Sequence, residues 1–420
     1  MRRFYAGLIV LFLLIIGAHS VSAAPYAYIA QINHGTLSVI DTVKHKKVGT
    51  INVGGAPFAL TMSPDGRTAY VARTTYPPLV GWISVIDVLT HSVTHTIPVG
   101  TDPRGAAVLP NGAKLYVTDC GSSPGITIID TSSNSVEKTI PFGRCLSGVA
   151  AHPDGSKVYF TDLTDNLVAR IETLNDTVNM TVTVGEGPLG ITIRPNSTEA
   201  YVANYMGGSV SVVDTSSNSV IGTIILPGTP VYVAFNTSGT RAYVTNDQGH
   251  NVWVIDTASR TVISTIDVGV ESYGIDVTPD GAYVYFAVCG YDDDKEKEIN
   301  CGVRVIDTAT NTVKKKIKLP GGASSGGKFI GGPQFHMTVQ TAGSGSGKVI
   351  SKKLPDIDCG SGGSKCEADF YVNRKVQLQA IAADGFVFTG WSGGACTKKS
   401  KTCKLVITDD YSVTATFEPK

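Results

Sequence analysis

An excess of charge of either sign is missing from this chain: 35 Lys and Arg balance 35 Asp and Glu, and charged residues make up only 17% of the sequence. Such a balance leaves no electrostatic footprint for nucleic acid or an anionic membrane surface. After residue 24 no apolar run approaches the ~20 residues of a bilayer helix, so no later segment is expected to cross a membrane. There is no Cys-x-x-Cys and no Cys-x-x-Cys-His, which speaks against zinc and covalent haem. No phosphate-cradling glycine loop opens a helix. After residue 24 the histidines (His34, His45, His91, His95, His152, His250 and His336) are scattered without metal-ligand spacing. Neither cofactor nor metal is expected, and no catalytic constellation assembles.

The first residues stand apart. Arg2 and Arg3 precede an apolar run from Ala6 to Gly17, and small residues Val21, Ser22 and Ala23 precede Ala24. This is the pattern of a secretory signal peptide over residues 1–23. The expected location is therefore the periplasm, the cell surface or the extracellular medium. Eight cysteines suit that oxidising setting as disulfides. Cys359–Cys366 and Cys396–Cys403 are each seven apart, and Cys289 and Cys301 flank one insertion. Cys120 and Cys145 then remain to pair.

What the chain does have is a period. Asp41, Asp87, Asp130, Glu172, Asp214, Asp256 and Asp307 each close an apolar strand, at successive gaps of 46, 43, 42, 42, 42 and 51 residues. A repeat near 40 residues built from short strands is the signature of a propeller blade. Within one repeat, Ala200–Asn204, Val210–Asp214, Val220–Ile225 and Pro230–Phe235 read as four strands, because β-branched and aromatic residues alternate between turn formers. The recurring acids are read as turn-closing groups, since Asp side chains bond nearby backbone amides. Tyr26, Tyr70, Tyr116, Tyr159, Tyr201, Tyr243 and Tyr283 are expected to pack between blades. The fold expected is all-β: a seven-bladed β-propeller over 24–333 and a small disulfide-stapled β unit over 334–420. The first unit lacks its innermost strand, and Gly326–Gly331 is the candidate that closes the ring.

The elements Tyr-Val-x-Asn, Val-Ile-Asp-Thr and Pro-Asp-Gly resemble the YVTN-type β-propeller repeats of surface-layer and secreted proteins over residues 26–333. Arg170-Ile171-Glu172-Thr173 departs most from that pattern. Gly347-Lys348-Val349, Gly390-Trp391-Ser392-Gly393, the last four cysteines and Val413–Phe417 resemble the small bacterial repeat domain related to the internalin B-repeat. The resemblance implies an appendage of exported surface proteins. It implies no activity.

Propeller geometry places the loops between second and third strands, and those leading to each innermost strand, on one face. Cys120 and Cys145 lie on loops of these two kinds. Aligned at the start of the innermost strands are Phe58, Arg104, Ser147, Leu189, Val231 and Tyr273. Arg104, with Tyr232, Tyr273 and Phe58 near it and Asp102, Glu186 and Glu271 just before the strands, would hold a carboxylate or sugar ligand. The expected function is recognition, adhesion or scaffolding by a monomer that takes a protein or glycan partner at the cell envelope. Rival readings are a periplasmic propeller enzyme of lactonase, lyase or dehydrogenase-subunit type, and a structural surface-layer component. The acidic loop Asp292–Glu298 lacks the spacing of a calcium loop.

Overall fold

The computed structural model describes residues 26–420, apart from 78, 196–197, 293–296, 352–356, 373, 395 and 398. The expected signal peptide and most of the acidic loop lie outside the described residues. Among the described residues there is no α-helix, and no helix long and apolar enough to cross a membrane. Seven sheets follow one another along the chain, giving seven blades.

Each blade is offset by one strand from the sequence repeat. Blade 5 takes Pro188–Ile193 innermost, then Glu199–Asn204, Ser209–Asp214 and Ser219–Ile225. Pro230–Phe235, which the sequence places fourth in that unit, instead starts blade 6. A strand that leads into the next sheet couples neighbouring blades covalently. Burial follows position: the second strand of blade 5 is almost wholly buried, while its outermost strand is mostly exposed.

The recurring acids act as turn anchors. Asp130 accepts N–H bonds from Ser132 and Ser133 at 3.0 and 2.8 Å, and Asp214 does the same with Ser216 and Ser217. These turns end on a left-handed residue, such as Asn134, Asp176 or Asn218, or even His45 and His91. That conformation suits Asn and Asp best. At the divergent fourth unit, Arg170 pairs with Glu172 at 2.8 Å and reaches Asn218 of blade 5, so the substituted turn is tied to the next blade.

The buried tyrosines join blades. Tyr159 donates to the Thr215 carbonyl and Tyr285 to the Thr42 carbonyl, both at 3.1 Å and both into the following blade. In blades 1 and 7 the position belongs to Tyr28 and Tyr285, not to Tyr26 and Tyr283 as the spacing predicts. Tyr28 and Tyr285 are fully buried, and both flanking tyrosines are half-buried. The register decides this: Tyr26 and Tyr283 pair with Asp41 and Asp307 at the strand ends.

Ring closure is split. Ala323–Ser324 pairs with Ala30 and Gln31, and Ile330–Gly331 pairs with Tyr26 and Ala27. The expected continuous strand over 326–331 is therefore only its last two residues, joined by an earlier pair. Residues between the two pieces bulge inward, and Gly326 bridges to Ala59 of blade 2. The glycines make this possible, because a Cβ on Gly327 would lie 2.4 Å from the Leu60 carbonyl oxygen.

Beyond the ring, two sheets enclose a second core. One is ordered Glu367–Tyr371, Gln334–Ala342, Tyr411–Pro419, Phe386–Ser392. The other runs Gly363–Lys365, Asp358–Gly360, Gly347–Ser351, Lys375–Ala382, Thr402–Val406. Met337, Val349, Leu378, Val413 and Phe417 fill the space between. Disulfides join Cys359 to Cys366 and Cys396 to Cys403 here, and Cys120 to Cys145 and Cys289 to Cys301 in the ring. Arg67 lies over the Phe335 ring at 5.3 Å and Tyr371 joins the propeller core, so this unit packs on the Pro-Asp-Gly turn of blade 2. The opposite face of the ring, carrying Cys120–Cys145, stays clear of it.

Candidate functional site

In blades 3, 4 and 6 a polar residue at the end of the second strand pins the loop face. Asp119 accepts the N–H groups of Thr101 and Asp102 at 2.9 and 2.8 Å; Asp162 takes that of Arg144 at 2.8 Å; Asn246 takes that of Thr229 at 3.0 Å. All three are buried and pinned to backbone, as buried polar groups must be. The Asn of the Tyr-Val-x-Asn element thus fixes the loops that lead to the innermost strands. The hairpin Tyr283–Asp292 with Lys297–Asp307 is longer than its counterparts and projects from the same face, stapled by Cys289–Cys301.

At the starts of the innermost strands these loops lead to, Phe58, Arg104 and Tyr232 come together with Asp102. Arg104 donates through Nε and Nη2 to Asp102 Oδ2 at 2.9 and 2.7 Å, and its guanidinium carbon lies 4.9 Å from the Phe58 ring centre. The cation is therefore oriented and partly neutralised, and its side chain is partly exposed. Burial pushes the Tyr232 phenol up to about 12, against the pull of Arg104, so it serves as a hydrogen-bond donor and not as a base.

Tyr273 and Glu271 form a second group. Tyr205 donates to Asp247 at 2.7 Å, and burial followed by Asp247 pushes its phenol up to about 12. Tyr273 shares Asp247, and its phenol is raised by the same causes. Glu271 stands 3.7 Å from His250. Glu186 is exposed and joins neither group; only its backbone carbonyl is engaged, by Gly207 N–H.

Behind Arg104 and Tyr232 the channel is bridged. Gly326 N–H donates to the Phe58 carbonyl at 3.1 Å, and Leu60 N–H donates to the Gly326 carbonyl at 2.8 Å. From the other side Tyr232 abuts Gly326 so closely that a Cβ there would lie 2.5 Å from the phenol oxygen. This bridge runs from blade 6 to blade 2. The channel cavity, about 640 Å³, extends beyond it to a rim of Pro64, Pro110, Pro153, Pro195 and Pro279.

Two channel residues escaped sequence reasoning. Asp276 accepts N–H bonds from Phe329 and Ile330 at 2.9 and 2.8 Å. Burial pushes its carboxyl up to about 6, against Lys328 and those donors. Lys328 is exposed in the channel. A signal existed: where blade 7 has Asp276, the corresponding strands have Thr61, Ala107, Ala150, Thr192 and Ala234. Tyr232 likewise replaces Ala59, Gly105, Gly148, Gly190 and Gly274.

Among the described residues no three His, Cys, Asp or Glu side chains are placed to hold a metal ion. Three strings fit Gly-x-Ser-x-Gly: Gly121–Gly125, Gly322–Gly326 and Gly390–Gly394. Among the described residues none lies on the strand-to-helix turn that a nucleophilic serine of that type requires.

No curated protein matches the chain. Similar solved structures include dihydro-heme d1 dehydrogenase NirN in complex with DHE, at 15% identity and TM-score 0.54, covering 72% of this chain and 74% of that one. A functionally unknown protein from Desulfotomaculum acetoxidans is similar at 14% identity and TM-score 0.62, covering 72% and 98%. At such identities the likeness concerns the fold alone. Residues 357–420 match the family described as the divergent InlB B-repeat domain, so the chain joins a seven-bladed propeller to a small β unit of that kind.

Proposed function

We propose that the chain is an exported recognition protein of the YVTN-repeat type, which binds a protein partner at the cell envelope through the loop face of its propeller. The observation that carries this reading is the disposition of exposed apolar side chains. Tyr76 (70% exposed) and Leu79 (41%) on the blade 2 loop, and Met206 (59%) on the blade 5 loop, project from the face that the second unit leaves clear. Large apolar and aromatic anchors are what protein interfaces concentrate. Four disulfides and the InlB-type repeat support an oxidising, envelope location. The role is binding rather than catalysis: Arg104 is committed to Asp102 and Phe58, and the tyrosines at the mouth hold their protons.

The test is binding of the intact protein to fractionated envelope proteins and, separately, to envelope glycans. Tyr76→Ala with Met206→Ala should abolish capture of the protein fraction, and Arg104→Ala should weaken it. Ile225→Ala, on an outer strand, should leave it unchanged. Binding confined to the glycan fraction, or equal loss with Ile225→Ala, would overturn the reading.

A further inference from the structure

The channel cavity, which Arg104 and Tyr232 line at its loop-face end, has its own chemistry at the level of Asp276. At the level of Asp276, five innermost strands contribute Thr61, Ala107, Ala150, Thr192 and Ala234. Small side chains there leave the axis open. The cavity of about 640 Å³ falls within the range of small-molecule sites. Into this space the bulged closing segment carries one cation. Among the described residues Lys328 has no hydrogen-bond or ion-pair partner, although it stands inside a ring of apolar strands. Exposed to the channel and without such a partner, this ammonium is open to an incoming anion.

The protein does not supply a counter-ion in full. Asp276 is the one acidic group on the chamber wall, and its oxygens are already engaged by the N–H groups of Phe329, Ile330 and Val277. We propose that this chamber is a binding site for a small organic monocarboxylate, whose carboxylate pairs with Lys328 while its uncharged body lies against the alanine and threonine ring. The charge count selects this class. A monoanion balances the single free ammonium. A dianionic phosphate would bring a second charge up against Asp276. A cation would meet Lys328 and find the Asp276 oxygens occupied.

The groups facing Asp276 are few. Lys328 comes from the closing segment, Tyr232 from blade 6 and Arg104 from blade 3; the other chamber side chains do not titrate. Protonation of Asp276 removes the one repulsive charge in the chamber. Binding should therefore tighten as pH falls through about 6, the value to which burial raises that carboxyl.

The full-length protein is titrated calorimetrically with benzoate and with glucuronate; inorganic phosphate and glucose serve as comparators. At least one of the two carboxylates should bind with a Kd below about 10 mM, the strength one charge-assisted contact supports. Lys328→Met should weaken it about tenfold or more. That substitution removes only a side chain exposed to the channel and keeps the backbone bonds of the bulge. Asp276→Asn, which retains an acceptor for the Phe329 and Ile330 N–H groups, should keep binding but lose its pH dependence. The proposal fails if neither carboxylate binds, if phosphate or glucose binds as well, or if Lys328→Met binds like the parent.

Discussion

Gly274→Ala is the sharpest test of how the ring is shut. Gly274 lies on the innermost strand of blade 7, with a φ outside the left-handed region, so alanine meets no backbone objection. Its Cβ, however, would lie 1.3 Å from the Ser325 carbonyl oxygen. Ordinary contact requires more than 3 Å, so the closing segment must retreat by about 2 Å. Such a shift breaks the bonds from Asp276 to Phe329 and Ile330 N–H and the bond from Ala30 N–H to Ser325 Oγ. Two hydrogen bonds to a carboxylate and one neutral bond, with the strain of overpacking, amount to about 4–6 kcal/mol. That is a large share of the ~5–15 kcal/mol that holds a domain folded. Urea unfolding followed through the buried Trp253 should show a much lower midpoint, and a protease should cut after Lys328 in the variant. Gly390→Ala is the control, since no atom lies within 4 Å of its Cβ and no left-handed φ is involved. An unchanged midpoint for Gly274→Ala would refute the closure as described.

Other outcomes follow from the same geometry. The Asp276 carboxyl is raised to about 6 from an ordinary 3.8, so the folded state binds the extra proton between those values. Its contribution to stability is present below pH ~4 and is lost as pH rises through ~6; Asp276→Asn should flatten that segment of a stability–pH curve. Replacing Cys120 and Cys145 together by Ser opens a loop of 25 residues and should cost about 3 kcal/mol in denaturant titrations, if chain entropy dominates. Truncation after Pro333 should leave a folded ring that has lost the Tyr371 and Phe335 contacts, whereas truncation before Ala323 should unfold it. Equal melting of the two truncations would contradict the role of the closing segment.

The blade count was legible because Asp130, Asp214 and their counterparts do a local job. A carboxylate that accepts two turn amides must recur wherever that turn recurs, so its spacing reports the blade directly. Tyr26 and Tyr283 misled because a tyrosine two residues later, Tyr28 or Tyr285, takes the buried position; only pairing across the sheet separates them. The closing segment was half legible. Ala323–Ser324 carries no alternating apolar pattern, and it is a strand because Ala30 and Gln31 lie open beside it. Asp358–Gly360 and Gly363–Lys365 went unseen for the same reason: short and polar, they are ordered by the edge of Gly347–Ser351. Asp276 and Lys328 were hidden by their separation of 52 positions, which only the ring brings together.

The two short pieces that complete blade 1 lie about 300 residues downstream of its other strands. During synthesis, therefore, the first sheet begun is the last one finished. Until Gly331 emerges, Tyr26–Gln31 presents an unpaired edge to whatever is near. A chain built this way acquires its final cooperativity in one late step, and any holding factor it meets before that step would find its target at the strand Tyr26–Gln31.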